Sequence, residues 1–257
     1  MTLHQSVDQN SSSKIFPILI WVRVFIHVLA GVFTLSFLFP FIGRTQKDRK
    51  IKLWSKRLLR IFNLKLVATG LEQVTTSPAL FAANHISWLD IHAINACKPI
   101  RFVAKSEVKS WPIFGWMAKQ LGTVFIRRDS TRHARKVVEQ VAGVLKTESI
   151  CIFPEGTSTN GAQVLPFKSN LFESALIAKC PIYPLSIRYI DQKTGLLTDS
   201  PAFVGDMGLL QSMSRVIGSR GLTVHLEFLI PYCETDSGGA GRKAVAAYCQ
   251  ESIAQTL

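Results

Sequence analysis

Ala79-Leu80-Phe81-Ala82-Ala83-Asn84-His85-Ile86-Ser87-Trp88-Leu89-Asp90-Ile91-His92-Ala93-Ile94-Asn95-Ala96 opens with an uninterrupted apolar run, passes through a polar turn, and resumes with apolar residues at helical spacing. A short apolar run bounded by turn residues reads as a buried strand, and the second half reads as a helix over Trp88–Ala96. The same alternation continues on both sides. Strands are predicted at Leu66–Gly70, Ala79–Ala83, Arg101–Ala104, Thr123–Ile126, Ile150–Phe153, Ile182–Ile187 and Thr223–Leu229. Further helices are predicted at Trp111–Gln120, Ser130–Lys146, Leu171–Lys179 and Arg242–Thr256, with a Ser/Gly linker at Thr235–Gly241. Strands alternating with helices imply an α/β fold with a mixed, largely parallel sheet flanked by helices.

The polar turn carries the first candidate chemistry. On a continuous helix His85 and Asp90 would lie about 140° apart, at ~100° per residue, and could not share a face. With His85 left in the loop, Ser87 as N-cap and Asp90 in the first helical turn, the carboxylate can fold back toward the imidazole. An aspartate accepting from one ring nitrogen fixes the tautomer and stabilises the imidazolium. The other nitrogen is then left to take a proton from a hydroxyl. The same residues also read as a capping box, Ser87-x-x-Asp90, in which Asp90 serves only the helix dipole.

Three more segments carry reactive or shape-setting residues. The run Gly122–Arg128 is an apolar strand ending in Arg127 and Arg128, guanidiniums that can grip a phosphate bidentately or simply be solvated. The run Ile152–Ser158 delivers Glu155 into a turn at Gly156, either to meet a substrate hydroxyl or to cap the next element. Pro181-Ile182-Tyr183-Pro184 reads as an edge strand or a rigid turn.

Taken together and in order, these four segments resemble the glycerophospholipid acyltransferase family typified by 1-acyl-sn-glycerol-3-phosphate acyltransferases. The resemblance rests on N-H-x-S-W-x-D at Asn84–Asp90, F-I-x-R at Phe125–Arg128, F-P-E-G-T at Phe153–Thr157 and the proline strand ending at Pro184. It implies direct acyl transfer from a thioester, acyl-coenzyme A or acyl carrier protein, to a lysophospholipid hydroxyl, with neither a metal nor a resident cofactor. It further implies His85 as base and Asp90 as its orienter. Asn84, Ser87, Arg127, Arg128, Glu155, Gly156, Thr157, Lys168 and Pro184 fall at its substrate-binding positions. The family usually carries an arginine directly after Glu-Gly-Thr, and here that place is Ser158. This departure keeps lyso-ornithine lipid beside 1-acyl-sn-glycerol-3-phosphate as an acceptor.

Ahead of this domain, Ile15–Gly43 contains only Arg23 and His27 as ionisable residues. About 20 mainly apolar residues suffice to span a bilayer, so the run reads as a membrane anchor, either spanning or bent into a shallow hairpin. The leader Met1–Ser13 has little positive charge and no small-residue cleavage site follows the run, which argues against a signal peptide. Arg44–Lys65 then holds nine Lys or Arg and one Asp. Ile51, Leu53, Trp54, Leu58, Leu59, Ile61 and Phe62 lie between these charges, as in an amphipathic helix resting on anionic headgroups. A charged helix packed on the domain is the alternative. The basic flank points to the cytoplasmic face, expected to be that of a bacterial inner membrane. The expected organisation is a polar leader at 1–14, the anchor at 15–43, an interfacial segment at 44–65 and an acyltransferase domain at 66–257.

The chain has 257 residues, 47% of them apolar, which excludes a disordered or low-complexity protein. Its formal net charge of +13 favours an anionic partner. Proximity of the first basic cluster to the anchor points to a lipid surface, and no zinc finger, RNP motif or helix-turn-helix supports nucleic acid. Cys97, Cys151, Cys180, Cys233 and Cys249 form no C-x-x-C pair and suit reduced thiols. A catalytically silent lipid-binding scaffold is the rival from another class, and it would be marked by loss of His85 or Asp90. Of the other histidines, His92 and His225 read as packed or surface residues. Trp111–Trp116 reads as an acyl-pocket lining, a lipid contact or core.

Overall fold

Apolar runs too short for helices line up as a sheet because each buries side chains on both of its faces. The structure, a computed structural model, describes residues 12–75, 78–127, 131–219, 221–232 and 241–257. In chain order the regular elements are α1 (Ser12–Phe33), α2 (Arg44–Ile61), β1 (Leu64–Thr69), β2 (Leu80–Ala83), α3 (Leu89–Cys97), β3 (Arg101–Lys105) and α4 (Phe114–Gln120). They continue with β4 (Val124–Ile126), α5 (Thr131–Leu145), β5 (Ile150–Ile152), α6 (Phe172–Ala178), β6 (Ile182–Asp191), α7 (Leu209–Ser219), β7 (Leu222–Phe228) and α8 (Arg242–Ala254). Among the described residues the strands form one seven-stranded sheet in the order β1-β7-β6-β2-β5-β3-β4. Only the β6–β7 pair is antiparallel, so the mixed, largely parallel sheet expected from the sequence is present.

The period-2 alternation of strands divides the core between two helical layers. On β2, Phe81 and Ala83 face the layer of α1, α2, α3 and α7, where Leu58, Leu89, Ile94, Met213 and Val216 are buried. Leu80 and Ala82 face the opposite layer with Val141, Leu145, Phe172, Val245 and Cys249. Strands covered on both sides explain why β2 and β5 are apolar throughout rather than alternating.

Several expectations are corrected. The seven strands are where they were predicted, but β6 runs four residues past Ile187, to Asp191. Helix α7 was not predicted at all, although Met213, Val216 and Ile217 are buried at helical spacing. Short Gly-rich flanks, with Gly205, Gly208, Gly218 and Gly221, mask that pattern. The apolar residues of the basic helix divide, with Leu53 left exposed. Leu58, Leu59 and Phe62 are buried in the core, and the segment expected to end at Lys65 already enters β1 at Leu64. Amphipathic α2 packs on α3 because its apolar face finds a protein partner first. The linker at Thr235–Gly241 falls, apart from Gly241, outside the described residues, as do Cys233 and Arg128.

The N-terminal apolar helix is two-sided. From Pro17 to Phe41 it is long and apolar enough to cross a membrane, and it continues from α1 through a π-helical turn at Thr34–Leu38 and a 3-10 turn at Phe39–Phe41. Ile20, Val24, His27, Leu35 and Phe39 are buried against the rest of the molecule. Ile18, Val22, Phe25, Ile26, Leu29, Phe33 and Phe37 are exposed on the other side. Gly31 permits the close crossing with α2: a Cβ there would sit 2.7 Å from Trp54 Nε1. Trp54 Nε1 donates to the His27 carbonyl at 3.1 Å, and its ring stacks on the imidazole at 4.4 Å.

Candidate active site

The parallel strands β2, β5, β3 and β4 end on one edge of the sheet, so the loops leaving them converge there. In open α/β sheets this carboxyl edge is where ligands bind. Asn84–Asp90 leaves β2 at this edge, Phe153–Ser158 leaves β5, and Arg127 follows β4.

Asn84 begins the turn and explains how the chain peels away. The β2–β6 ladder stops at Ala83 opposite Leu185. At the next bonding position on β6, the Asn84 amide takes the place of a strand. Its Nδ2 donates to the Ile187 carbonyl at 2.9 Å and its Oδ1 accepts from the Ile187 N–H at 2.8 Å. Both buried backbone groups are satisfied while the backbone is released toward His85.

His85 and Asp90 meet as the loop geometry requires. His85 Nδ1 lies 2.8 Å from Asp90 Oδ2, and that oxygen also accepts from the Ile86 and Ser87 N–H groups at 2.8 and 2.9 Å. Asp90 Oδ1 accepts from the Tyr189 hydroxyl at 2.7 Å. Asp90 is fully buried, so four donors replace the water it has lost. The His85 side chain is about a fifth exposed and stacks on Phe153 at 4.0 Å. With Nδ1 tied to the carboxylate, Nε2 is the nitrogen that can accept a proton from a substrate. The expected N-cap is replaced. Trp88 occupies the cap position without a side-chain bond, Ser87 Oγ accepts from the Leu89 N–H at 3.3 Å, and Asp90 reaches back to the two preceding amides.

Glu155 holds this loop from the other side. Its Oε1 accepts from the His85 N–H at 2.8 Å and its Oε2 from the Leu165 N–H at 3.0 Å. Burial pushes its carboxyl pKa up, partly offset by those two amides. The His85 carbonyl accepts from the Thr159 N–H at 2.8 Å, so the histidine backbone is fixed at both polar groups. Ser158 Oγ donates to the Phe203 carbonyl, and the Phe203 N–H donates to the Ile86 carbonyl at 2.8 Å. These bonds bind the 201–204 segment onto the His85 loop, with Phe203 edge-on to Trp111 at 6.3 Å.

The sequence-predicted substrate positions therefore separate. Asn84, Ser87, Glu155 and Pro184 are buried and bound to protein, because each completes a backbone or strand position that the turn leaves open. In this structure their polar groups are engaged in shaping the site. Gly156 adopts φ +74°, a left-handed turn conformation that Gly takes without a Cβ clash. Thr157, Lys168 and Arg127 are exposed. Arg127 lies at the end of β4, three strand spacings from β2, about 14 Å at ~4.8 Å each. Tyr189 was missed: it lies on the unpredicted extension of β6, 99 residues beyond Asp90. Only its aromatic character in an apolar strand could have marked it.

A buried carboxylate orienting a partly exposed imidazole, beside exposed cations at a sheet edge, is equipped to deprotonate a hydroxyl on an anionic substrate. The comparisons agree with that chemistry. A family model described as Acyltransferase matches residues 65–188, the span that carries all four motifs. A lyso-ornithine lipid O-acyltransferase from Pseudomonas aeruginosa is 34% identical over 213 residues, covering 82% of this chain and 79% of the relative. A 1-acyl-sn-glycerol-3-phosphate acyltransferase from Neisseria meningitidis is 38% identical over 176 residues, covering 68% of this chain and 67% of the relative. The crystal structure of the 1-acyl-sn-glycerophosphate acyltransferase PlsC from Thermotoga maritima superposes with a TM-score of 0.69 over 94% of this chain and 93% of that one. At 21% identity that last likeness is one of fold. With relatives of this identity and coverage and a family model over residues 65–188, the chain belongs to the acyltransferase family.

Proposed function

We propose that this acyltransferase moves an acyl chain from a thioester, acyl-coenzyme A or acyl carrier protein, to the free hydroxyl of 1-acyl-sn-glycerol-3-phosphate, giving phosphatidic acid. The observation that carries the mechanism is the 2.8 Å contact between His85 Nδ1 and the fully hydrogen-bonded Asp90. His85 Nε2 takes the hydroxyl proton as the oxygen attacks the thioester carbonyl. The tetrahedral adduct collapses, the C–S bond breaks, and the thiolate leaves with the proton returned by the imidazolium. General-base assistance of this kind is worth roughly 10²–10⁴-fold. Arg127, Arg128 and Lys168 supply the cations for acceptor or donor phosphates, and Thr157 contributes a hydroxyl to the acceptor.

A second reading has one observation in its favour. Ser158, where the resemblance expects an arginine, is bonded to the Phe203 carbonyl and offers no positive charge. That arrangement suits lyso-ornithine lipid, whose own amine brings a cation to the site.

We infer that the enzyme lies on its membrane rather than hanging from a spanning helix. The apolar helix is bound lengthwise to the protein through Val24, His27 and Leu35, and its exposed stripe of Phe and Ile is free to enter the acyl boundary. Exposed Arg49, Lys50, Lys56, Arg57 and Arg60 on α2 suit anionic headgroups of a cytoplasmic leaflet, as in a bacterial inner membrane.

The test is acyl transfer by purified, detergent-solubilised protein. Each labelled donor is paired with each acceptor, and His85→Ala serves as control. Product from 1-acyl-sn-glycerol-3-phosphate, lost in the variant, is expected. Product from lyso-ornithine lipid alone establishes the second reading. Undiminished turnover in folded His85→Ala defeats the base assignment, and a folded wild type silent in every pairing restores the scaffold reading.

A further inference from the structure

Asp90 has two carboxylate oxygens with different tasks. Oδ2 faces His85 and two loop amides, whereas Oδ1 meets the Tyr189 hydroxyl. Tyr189 is 2% exposed, comes from the interior strand β6, and bonds the carboxylate oxygen that His85 does not. Ser87 also acts electrostatically on that hydroxyl. Ser87 Oγ in turn accepts from the Leu89 N–H at 3.3 Å. Ser87 and Tyr189, both buried, therefore meet Asp90 on its two different oxygens, the Ser87 N–H on Oδ2 and the Tyr189 hydroxyl on Oδ1.

We propose that Tyr189 is a positioning residue that sets the proton affinity of His85 through Asp90, with Ser87 orienting its hydroxyl. This rests on the reading of His85 as the base. A donor on Oδ1 draws charge away from Oδ2, and the imidazolium feels what remains on Oδ2. Without that donor, Asp90 stabilises protonated His85 more strongly, and less of the neutral base exists at a given pH. A hydrogen bond to a charged group is worth roughly 1.5–3 kcal/mol, so part of it, passed on through Asp90, is ample to move a titration. Burial and the charge of Asp90 keep the Tyr189 proton on its oxygen, so the hydroxyl stays a donor throughout the working range.

The other titratable groups packed around the pair are few. Glu155, from the β5 loop, is held by the His85 and Leu165 amides, and Cys151, on β5, is fully buried with its thiol pushed up by burial and by Asp90. Neither takes up the free lone pairs of Oδ1, so neither compensates for loss of the tyrosine hydroxyl.

The test is the pH profile of kcat/KM for Tyr189→Phe, which keeps the ring in the core and removes only the hydroxyl. The acid limb is expected to move to higher pH by roughly half a unit to one unit, with a three- to tenfold loss on that limb. Recovery is expected above it, with acceptor KM unchanged. Ser87→Ala is expected to move the limb in the same direction by less. A limb that stays in place while the unfolding temperature falls overturns the proposal and leaves Tyr189 a packing residue. Where Tyr189→Phe does not accumulate as folded protein, the limb of Ser87→Ala decides: displaced supports the proposal, undisplaced overturns it. An unmoved limb in an enzyme still silenced by His85→Ala refutes only this inference, whereas an active His85→Ala refutes the base assignment beneath it.

Discussion

Acidification should destabilise this protein through a histidine outside the His85–Asp90 pair. His92 lies on α3 between Trp54 and Trp88, with ring centroids 5.4 and 5.9 Å away. Its Nδ1 is buried without a hydrogen-bond partner among the described residues. Burial, reinforced by nearby His27, lowers its pKa from 6.5 to about 4. Above the unfolded value both states are neutral and nothing is lost. As the pH falls, the unfolded chain takes up the proton first, and stability drains away until the folded state also binds it near the lower value. At ~1.36 kcal/mol per unit, that separation amounts to roughly 3 kcal/mol in full, and to roughly 2 kcal/mol by about pH 5. A large part of a typical stability of ~5–15 kcal/mol is therefore at stake. Urea unfolding in detergent, followed by tryptophan fluorescence at intervals between about pH 7.5 and 4.5, measures it. At a slope of ~2–3 kcal/mol per molar, the midpoint should fall by about 0.7–1 M by about pH 5. His92→Phe keeps an aromatic ring between the tryptophans and should abolish most of that fall. A variant whose midpoint tracks the parent's at every pH refutes the reasoning, because some other group then carries the acid sensitivity.

Further outcomes follow from the same contacts. Glu155→Gln replaces one of two acceptors with an amide, so it should cost roughly 1–3 kcal/mol and lower kcat by about 10- to 100-fold with little change in acceptor KM. A rise in KM alone would assign Glu155 to the substrate instead. Asn84→Ala leaves the Ile187 N–H and carbonyl without partners and should cost roughly 2–4 kcal/mol by chemical denaturation; a neutral result would show that water fills the gap. Gly31→Val drives a branched side chain into Trp54 and should cost about 1–3 kcal/mol, with faster proteolysis around residues 34–43; unchanged cleavage would show that α1 and α2 do not depend on this crossing.

The strands were legible in the sequence because β2 and β5 are buried on both faces, and such strands read as unbroken apolar runs. The dyad was legible because its members are five residues apart, close enough for one turn to join them. Reaction class was legible because four short motifs each encode their own local geometry. The roles of Asn84 and Glu155 were not legible. Their partners, Ile187 and Leu165, lie across the sheet or beyond a loop, and an isolated carboxylate in a Gly turn looks the same whether it meets a backbone amide or a substrate.

Composition and spacing determined that this chain forms a helix-covered, largely parallel sheet with a histidine and an aspartate at a strand end, preceded by an apolar helix and a basic one. Only the tertiary structure decided which face of each helix is buried, that Ser158 serves the Phe203 carbonyl, and that Tyr189 completes the Asp90 shell. The reason is physical. Local pattern records how apolar a residue is and what its immediate neighbours are, whereas a hydrogen bond across 99 residues forms only when sheet order brings β6 beside β2.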